Sequence, residues 1–218
     1  MTAINARQVQ SLREKTGAGI MDCKEALAAE DGDLERATVY LRKKGLAAAA
    51  KKSGRLASEG VVGSYIHGGG KIGVLVEVNC ETDFVARTDS FVAFIKDLSM
   101  HVAAAAPQVV RRDELDEAQV ARERDIIATQ VAQQNKPEQI AERMREGRLE
   151  KYFADTCLLE QSFVKDPGKT VEQVLNDLVA KLGEKLAIRR FVRFQLGEGL
   201  ARRSENFAEE VQRAAAGG

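Results

Sequence analysis

The spacing of apolar residues first follows a helical period. It predicts three short helices in residues 1–55: one after Asn5, one over about 21–29, and one that begins after Asp33 and stops at Gly45. Asn5 and Gln8 form the pattern of a capping box, in which two side chains satisfy backbone N–H groups at a helix start. Helices of about ten residues are marginal alone. We therefore expect these three to pack on one another.

From about residue 59 the apolar residues alternate with a period of two. Two such runs flank the glycines at 68–70 and predict a β-hairpin, whose second strand, 71–80, is at least half buried. A last strand is predicted near the C-terminus. We expect one face of that strand to carry Ile188, Arg190, Val192, Phe194 and Leu196.

Further helices are predicted between the hairpin and the last strand. One follows Asp89 and ends before Pro107, one covers about 116–134, and one runs from Pro137 to Gly147. A fourth helix begins at a capping box formed by Thr170 and Gln173 and ends at Gly183. Helices and strands are segregated along the chain, which predicts the α+β class rather than a doubly wound sheet.

The change from helical to alternating spacing of apolar residues, between about residues 55 and 59, predicts two units and a tail. We expect an N-terminal three-helix module over 1–55, an α+β core over 56–200, and a polar C-terminal tail over 201–218 with a mobile tip. The alanine-rich segment 46–52 suggests a helical linker. The boundary is placed at Ser53 and Gly54.

The net charge of the chain does not indicate a nucleic-acid-binding protein, but the charge of its first 55 residues leaves that class open. The chain of 218 residues has 33 basic and 33 acidic residues, so its formal net charge is zero. Residues 1–55 hold eleven cations and seven anions, a local charge of +4. A nucleic-acid or ribosome-binding adaptor is therefore one alternative. A basic face is more often plain solvated surface, however, and the only aromatic residue in this segment is Tyr40.

The cysteines and histidines do not form a recognisable reactive site. Cys23, Cys80 and Cys157 are far apart and form no CxxC pair, which indicates reduced thiols in a cytoplasmic protein. No secretory signal or bilayer-spanning apolar run is visible. His67 and His101 have no partners at metal-site or triad spacing, so we expect no catalytic residue, no metal site and no cofactor. An enzyme that uses Cys80 or His67 remains the second alternative.

The segment 81–85 follows a buried strand directly, and such loops often present functional groups. Two interpretations are open. In one, Phe84 and Val85 fill the local core while Thr82 or Asp83 begins a helical turn. In the other, Phe84 protrudes as a wedge aimed at a partner, with Asp83 as an acceptor beside it.

Two long motifs then carry a resemblance. EVNCETDFVAR (Glu77 to Arg87) and LREKTGAGIMDCKEAL (Leu12 to Leu27) closely resemble signatures of the elongation factor Ts family, the guanine-nucleotide exchange factors for elongation factor Tu. Further similar stretches are IAERMREGRLEKYF, QSFVKDPGKTV and RRFVRFQLGEG. The resemblance covers essentially the whole chain. It implies an N-terminal module like a ubiquitin-associated domain, followed by an α+β core.

The resemblance also implies a mechanism without covalent catalysis. In the family, a Thr-Asp-Phe-Val loop enters the nucleotide-binding domain of GDP-bound elongation factor Tu. The aromatic ring pushes between helices near the Mg²⁺ site, so that the ion is dislodged and GDP leaves. Those roles fall on Thr82, Asp83, Phe84 and Val85. The N-terminal module would grip the same partner domain, and its implied contacts are Arg13, Ile20 and Met21.

The chain departs from the longer family members in one respect. They carry two core subdomains in tandem, whereas this sequence has one hairpin, one Thr-Asp-Phe-Val motif and one closing strand. It resembles the short form, whose members pair as symmetric dimers. We therefore expect a homodimer with two partner molecules, and no direct binding of nucleic acid or membrane.

Overall fold

The structure, a computed structural model, describes residues 4–200. The predicted tail, 201–218, lies outside the described residues, and so does the expectation of a mobile tip. Residues 4–200 form eight α-helices and five β-strands. The helices are α1 (Ala6–Thr16), α2 (Ile20–Ala29), α3 (Leu34–Lys52), α4 (Asp83–Ala86), α5 (Asp89–Ala105), α6 (Glu117–Ala132), α7 (Glu138–Thr156) and α8 (Val171–Leu182). The strands are β1 (Glu59–His67), β2 (Ile72–Cys80), β3 (Ser162–Phe163), β4 (Asp166–Thr170) and β5 (Leu186–Gln195).

The first three helices pack around a small core of their own. The predicted capping box is confirmed, because the Asn5 side chain accepts from the Gln8 N–H at 2.8 Å and the Gln8 side chain accepts from the Asn5 N–H at 3.1 Å. The buried side chains of this core are Leu12, Cys23, Ala26, Leu27 and Ala37.

The predicted end of α3 at Gly45 is wrong, since the helix continues to Lys52. A glycine inside a helix costs about 1 kcal/mol relative to alanine. Here it lies against α8: a Cβ added to Gly45 would be 3.4 Å from the Cβ of Ala180. Packing of α3 on α8 offsets the cost. The predicted linker 46–52 is therefore the last part of a continuous helix.

The predicted hairpin is confirmed. β1 and β2 pair antiparallel, and the glycines at 68–70 between them all have positive φ. β5 pairs antiparallel with the other edge of β2, which gives a three-stranded sheet in the order β1-β2-β5.

The predicted face of β5 is wrong because the strand contains a bulge. Val78 pairs with Ile188 and Glu77 pairs with Arg190, so Arg189 is an extra residue. An extra residue moves every later side chain to the opposite face. Ile188 is therefore buried, at 1% exposure, whereas Phe194 points away from the core and is 67% exposed. Arg190 and Val192 share the outer face with Phe194, and Leu196 follows the strand as an exposed residue.

Helix α5 covers the inner face of the sheet, and α8 packs beside it. The apolar residues of α5 buried there include Phe91, Phe94, Ile95, Leu98 and Val102, which pack with Val74, Val76 and Val78 of β2. Gly63 on β1 allows a close approach: a Cβ at this position would lie 2.1 Å from Cγ2 of Ile95. The inner face is the main core.

Helices α6 and α7 form a pair outside the sheet. The predicted end of α7 at Gly147 is wrong, because the helix continues to Thr156. Its second half is held by Phe153, which is buried and lies 4.3 Å below the guanidinium carbon of Arg112. That packing stabilises the helix beyond the glycine.

The α+β class and the N-terminal three-helix arrangement are confirmed. The division of the chain at residue 55 stays a prediction. The N-terminal helices have a separate core, but α3 also contacts α8.

Candidate functional site

The loop after β2 is a single turn of helix. The strand ends at Cys80 and α4 begins at Asp83, with Thr82 as its N-cap. The Thr82 hydroxyl accepts from the Val85 N–H at 3.4 Å. Threonine at this position satisfies an N–H group that the helix itself leaves without a partner.

The two apolar residues of this turn point in different directions. Val85 is 8% exposed and belongs to the main core, whereas Phe84 is 79% exposed. Successive helical residues are about 100° apart, so burial of one carries its neighbour towards solvent. Of the two interpretations of the segment, the core-filling one holds for Val85 alone, and Phe84 protrudes.

A half-buried glutamate from a segment about a hundred residues later in the sequence holds this loop. Glu184 lies between α8 and β5, and its carboxylate accepts from the backbone N–H groups of Glu81 at 3.1 Å and Thr82 at 3.0 Å. It also accepts from the Thr82 hydroxyl at 2.6 Å. A carboxylate that receives three hydrogen bonds is a strong local anchor.

Asp83 is engaged within the turn. Its carboxylate accepts from the Arg87 guanidinium at 2.8 Å, one helical turn away. The Arg87 side chain is mostly exposed and that of Asp83 is about half exposed, so this pair adds little stability. The Asp83 carboxylate is therefore held only weakly within the turn.

The three predicted contacts of the N-terminal module are all exposed. Arg13 lies in the last turn of α1, which ends at Gly17 in the left-handed conformation. Ile20 and Met21 begin α2 immediately afterwards, and Met21 is 75% exposed. Large apolar side chains in solvent at a helix start contribute nothing to the local core. Their assignment to partner binding stays a prediction.

The residues of the enzymatic alternative are poorly placed for reaction. Cys80 is buried, its thiol donates to the Thr82 carbonyl at 3.1 Å, and burial raises its pKa. A thiol held in this protonated state is a weak nucleophile. The exposed His67 makes a 2.9 Å hydrogen bond with the Tyr65 hydroxyl. His101 is buried against Gln161.

Neither metal ligands nor membrane spans mark a further site in the part of the chain described. Across residues 4–200, no three His, Cys, Asp or Glu side chains converge on a point where an ion could bind. Over the same residues, no helix has both the length and the apolar character needed to cross a bilayer.

A cleft of about 310 Å³ separates the N-terminal helices from α8. Two of its lysines already have carboxylate partners: Lys44 donates to Asp22 at 2.9 Å, and Lys169 donates to Asp177 at 2.7 Å. These pairs leave less positive charge for an anion than the lysine content suggests.

The outer face of the three-stranded sheet is a further exposed apolar surface, separate from Phe84 and from Ile20 and Met21. Large side chains on it are Val62, Ile66, Leu75, Val192 and Phe194. Its main charges are paired, since Glu77 accepts from Arg189 at 2.8 Å and from Arg190 at 2.7 Å. We call this surface the outer sheet face.

Sequence reasoning missed Glu184 as a residue of the site and assigned no role to Glu81, although Glu81 lies in the segment 81–85. Glu184 contacts Thr82 across 102 positions of sequence. The sequence indicates only that Gly183 ends a helix, and an acidic residue after such an end is unremarkable. Nothing local identifies the loop that this glutamate reaches.

Comparison with known proteins agrees with the two motifs. Residues 48–198 match the sequence model of the family described as Elongation factor TS. A protein of Geobacter metallireducens named Elongation factor Ts is 61% identical over 213 residues, which are 98% of this chain and 99% of that protein. One of the same name from Anaeromyxobacter sp. is 60% identical over 99% of this chain and 98% of its own length. Another, from Desulforamulus reducens, is 57% identical over 97% of both chains.

Proposed function

The chain belongs to the elongation factor Ts family and is a translation elongation factor, and on that premise we propose that it is a guanine-nucleotide exchange factor. It binds GDP-bound elongation factor Tu, displaces Mg²⁺ and promotes GDP release, so that GTP can bind. The exposure of Phe84 beside the buried Val85 carries this proposal. The ring is presented to a partner while its neighbour fixes the turn.

The energetic requirement exceeds what one ring supplies. A thousandfold faster release corresponds to about 4 kcal/mol off the barrier. Burial of one phenylalanine yields about 1.5–3 kcal/mol. Broader contacts must therefore contribute. We assign part of them to the N-terminal module through Arg13, Ile20 and Met21, whose exposure leaves them available.

Within the loop, each residue has its own role. Phe84 is the wedge and Asp83 is an acceptor beside it. Thr82 caps the turn, and Val85 anchors it in the core. None of these roles needs a covalent step, a resident cofactor or a catalytic residue of this chain.

Reciprocal coupling completes the cycle. A factor that weakens GDP binding is itself weakened by GDP to the same extent. GTP binding can then expel the factor from its partner. We place this activity in the cytoplasm, where the three free, buried cysteines suit a reducing environment. The partner is a protein, and the proposal includes no direct contact with nucleic acid or membrane.

We further propose a homodimer that pairs two outer sheet faces and binds two partner molecules. A two-fold dimer brings the same patch together from both copies. The outer sheet face suits such pairing, because it is largely apolar and its glutamate is engaged in ion pairs with Arg189 and Arg190. Light scattering at micromolar concentration should give twice the monomer mass of 23.8 kDa. A monomer there would contradict this assignment.

The exchange proposal is tested with Phe84→Ala. The factor is mixed with elongation factor Tu that carries fluorescent GDP, and release is followed by fluorescence. Loss of the ring should slow stimulated release by about ten- to a hundredfold, as expected for about 1.5–3 kcal/mol of lost burial in the complex. Asp83→Ala should slow it by less, since this carboxylate acts beside the wedge.

A matched control is Ile140→Ala, which removes an exposed apolar side chain from α7, away from the loop sequence. This variant should stimulate GDP release from elongation factor Tu at the normal rate. Unfolding of the Phe84 variant should also be unchanged, because the ring makes little contact with its own fold. Normal release by both loop variants would contradict the wedge assignment.

A further inference from the structure

The turn that carries Phe84 is too short to hold its own shape. Helix α4 has four residues, and a helix of this length is unstable without external contacts. Val85 and Ala86 attach one side of it to the core. They do not fix the backbone at its start, where Glu81 and Thr82 leave the strand. A second contact is needed there to set the direction of the ring.

Glu184 provides that contact. One carboxylate oxygen accepts from both N–H groups at the start of the turn, and the other accepts from the Thr82 hydroxyl at 2.6 Å. The carboxylate has no proton to give, so the hydroxyl must donate to it. That leaves the hydroxyl lone pairs available for the Val85 N–H. Glu184 thus orients the cap of α4 as well as the backbone before it.

The contact is reciprocal. Glu81 reaches back and accepts from the Lys185 N–H at 2.6 Å, so each glutamate bonds the backbone of the other's loop. This N–H group, and secondarily Arg55, holds the pKa of Glu81 below its usual value. The Lys185 ammonium in turn donates to the Arg55 carbonyl at 2.7 Å. The α8–β5 connection therefore ties the wedge loop to the segment that leads out of α3.

We propose that Glu184 is a positioning residue for nucleotide exchange, acting on the partner through Phe84 by fixing the start of α4. This rests on the function proposed above. Geometry errors of about 1 Å can cost about a hundredfold in rate where groups must meet in a set orientation. A loosened turn would still present an aromatic ring, but at variable angles. Binding would then continue while the productive insertion became rarer.

The test compares Glu184→Ala with Glu184→Gln in fluorescent-GDP release from elongation factor Tu over a range of factor concentrations. The alanine variant removes all three hydrogen bonds and should lower the saturating release rate by about ten- to a hundredfold, the upper figure being the cost of a misplacement of about 1 Å. The half-saturating concentration should change by less than about twofold. The glutamine variant keeps an acceptor for the two N–H groups and can donate to the Thr82 hydroxyl. It should restore the rate to within about twofold of the original, as expected where net charge is not required.

A double variant separates positioning from general stability. If Glu184 acts through Phe84, then Glu184→Ala should have almost no further effect on release in a Phe84→Ala background. Equal slowing in both backgrounds would overturn the proposal. A control is Glu150→Ala, which removes a carboxylate with two hydrogen bonds to Arg112. It should leave the saturating rate unchanged.

Hydrogen exchange gives a readout that does not need the partner. In Glu184→Ala the amides of Glu81 and Thr82 should exchange faster, while the amides of β2 stay protected. Unchanged exchange at these two amides would overturn the proposal. The proposal would also be overturned if Glu184→Ala kept the normal saturating rate of GDP release while Phe84→Ala lowered it. If Phe84→Ala stimulates GDP release at the normal rate, the function proposed above fails. Hydrogen exchange at Glu81 and Thr82 still tests whether Glu184 fixes the start of the turn.

Discussion

The two faces of the three-stranded sheet carry similar side chains in different surroundings. On β2, Val76 faces α5 and is fully buried, while its neighbour Leu75 faces outward and is about half exposed. Apolar character alone does not distinguish them. The difference is that, among residues 4–200, the helices pack on the inner face and not on the outer one. The inner residues therefore stabilise the fold, and the outer ones remain available for association.

The wedge loop repeats this division on a smaller scale. Val85 joins the inner core, and Phe84 is left outside. The functions proposed above follow the same division: the ring is assigned to displacement within a partner, and the flat apolar face to contact with a second copy. The two exposed surfaces can therefore be tested separately.

The largest expected effect comes from a charge on the outer sheet face. Phe194→Glu removes a ring whose burial is worth about 1.5–3 kcal/mol, and a symmetric dimer contains the change twice. The dissociation constant of the proposed dimer should rise by about a hundredfold or more, the factor for about 3 kcal/mol. Sedimentation at several concentrations measures it.

The same variant should keep its fold, because Phe194 is mostly in solvent in the monomer. Circular dichroism provides this check. A matched change on the helix α5 surface is Val92→Glu, which should leave the dimer intact. A Phe194→Glu protein that stays dimeric would show that the copies meet elsewhere.

A smaller effect is expected on stability, from neighbours on β2. Val76→Ala leaves a cavity in the main core and should lower the free energy of unfolding by about 2 kcal/mol. Leu75→Ala removes a larger side chain but should cost less than about 1 kcal/mol at concentrations where the protein is monomeric. Denaturant unfolding of both variants measures the difference. Equal losses would show that the outer face is already covered within the monomer.

The parts of the fold that could be predicted depend on local signals. The capping boxes at Asn5 and Thr170 and the left-handed glycine at 183 mark their helix ends directly in the sequence. Gly45 and Gly147 resemble such ends but lie inside helices. Packing of α3 on α8 and burial of Phe153 decide these two cases, and both contacts join distant segments.

The same limit applies to the sheet and to the site. The alternation in β5 predicts a single face, but the bulge at Arg189 exists only through pairing with Glu77 and Val78. The sequence of the loop limits Phe84 to two environments, and the structure is needed to choose one. Glu184 carries no signal at all, because its role depends on a loop about a hundred residues earlier in the sequence.

The smallest expected effect concerns a polar group on the covered side of the sheet. His101 on α5 is buried, its Nε2 donates to Gln161 at 2.9 Å, and its Nδ1 accepts from the Val164 N–H at 3.2 Å. This arrangement requires the neutral ring, and burial lowers the pKa of His101 below its ordinary value of 6.5. The unfolded chain therefore binds a proton more readily than the folded one. The stability contributed by the neutral ring is fully present above the ordinary pKa and is lost as the pH falls below it, towards the lower pKa of the folded state.

The free energy of unfolding should accordingly fall between about pH 7.5 and pH 5.5, a window that brackets the ordinary histidine pKa of about 6.5. His101→Gln cannot titrate and should flatten this part of the profile, although it lowers stability at neutral pH through poorer packing against Phe163. His67→Gln is the matched control, because it makes the same replacement at the other histidine of the chain, which is exposed. Denaturant unfolding at several pH values measures all three proteins. An identical pH profile for His101→Gln and the original protein would show that the buried ring does not set the acid sensitivity. The inner face of the sheet would then accept a protonated histidine as readily as the exposed outer face.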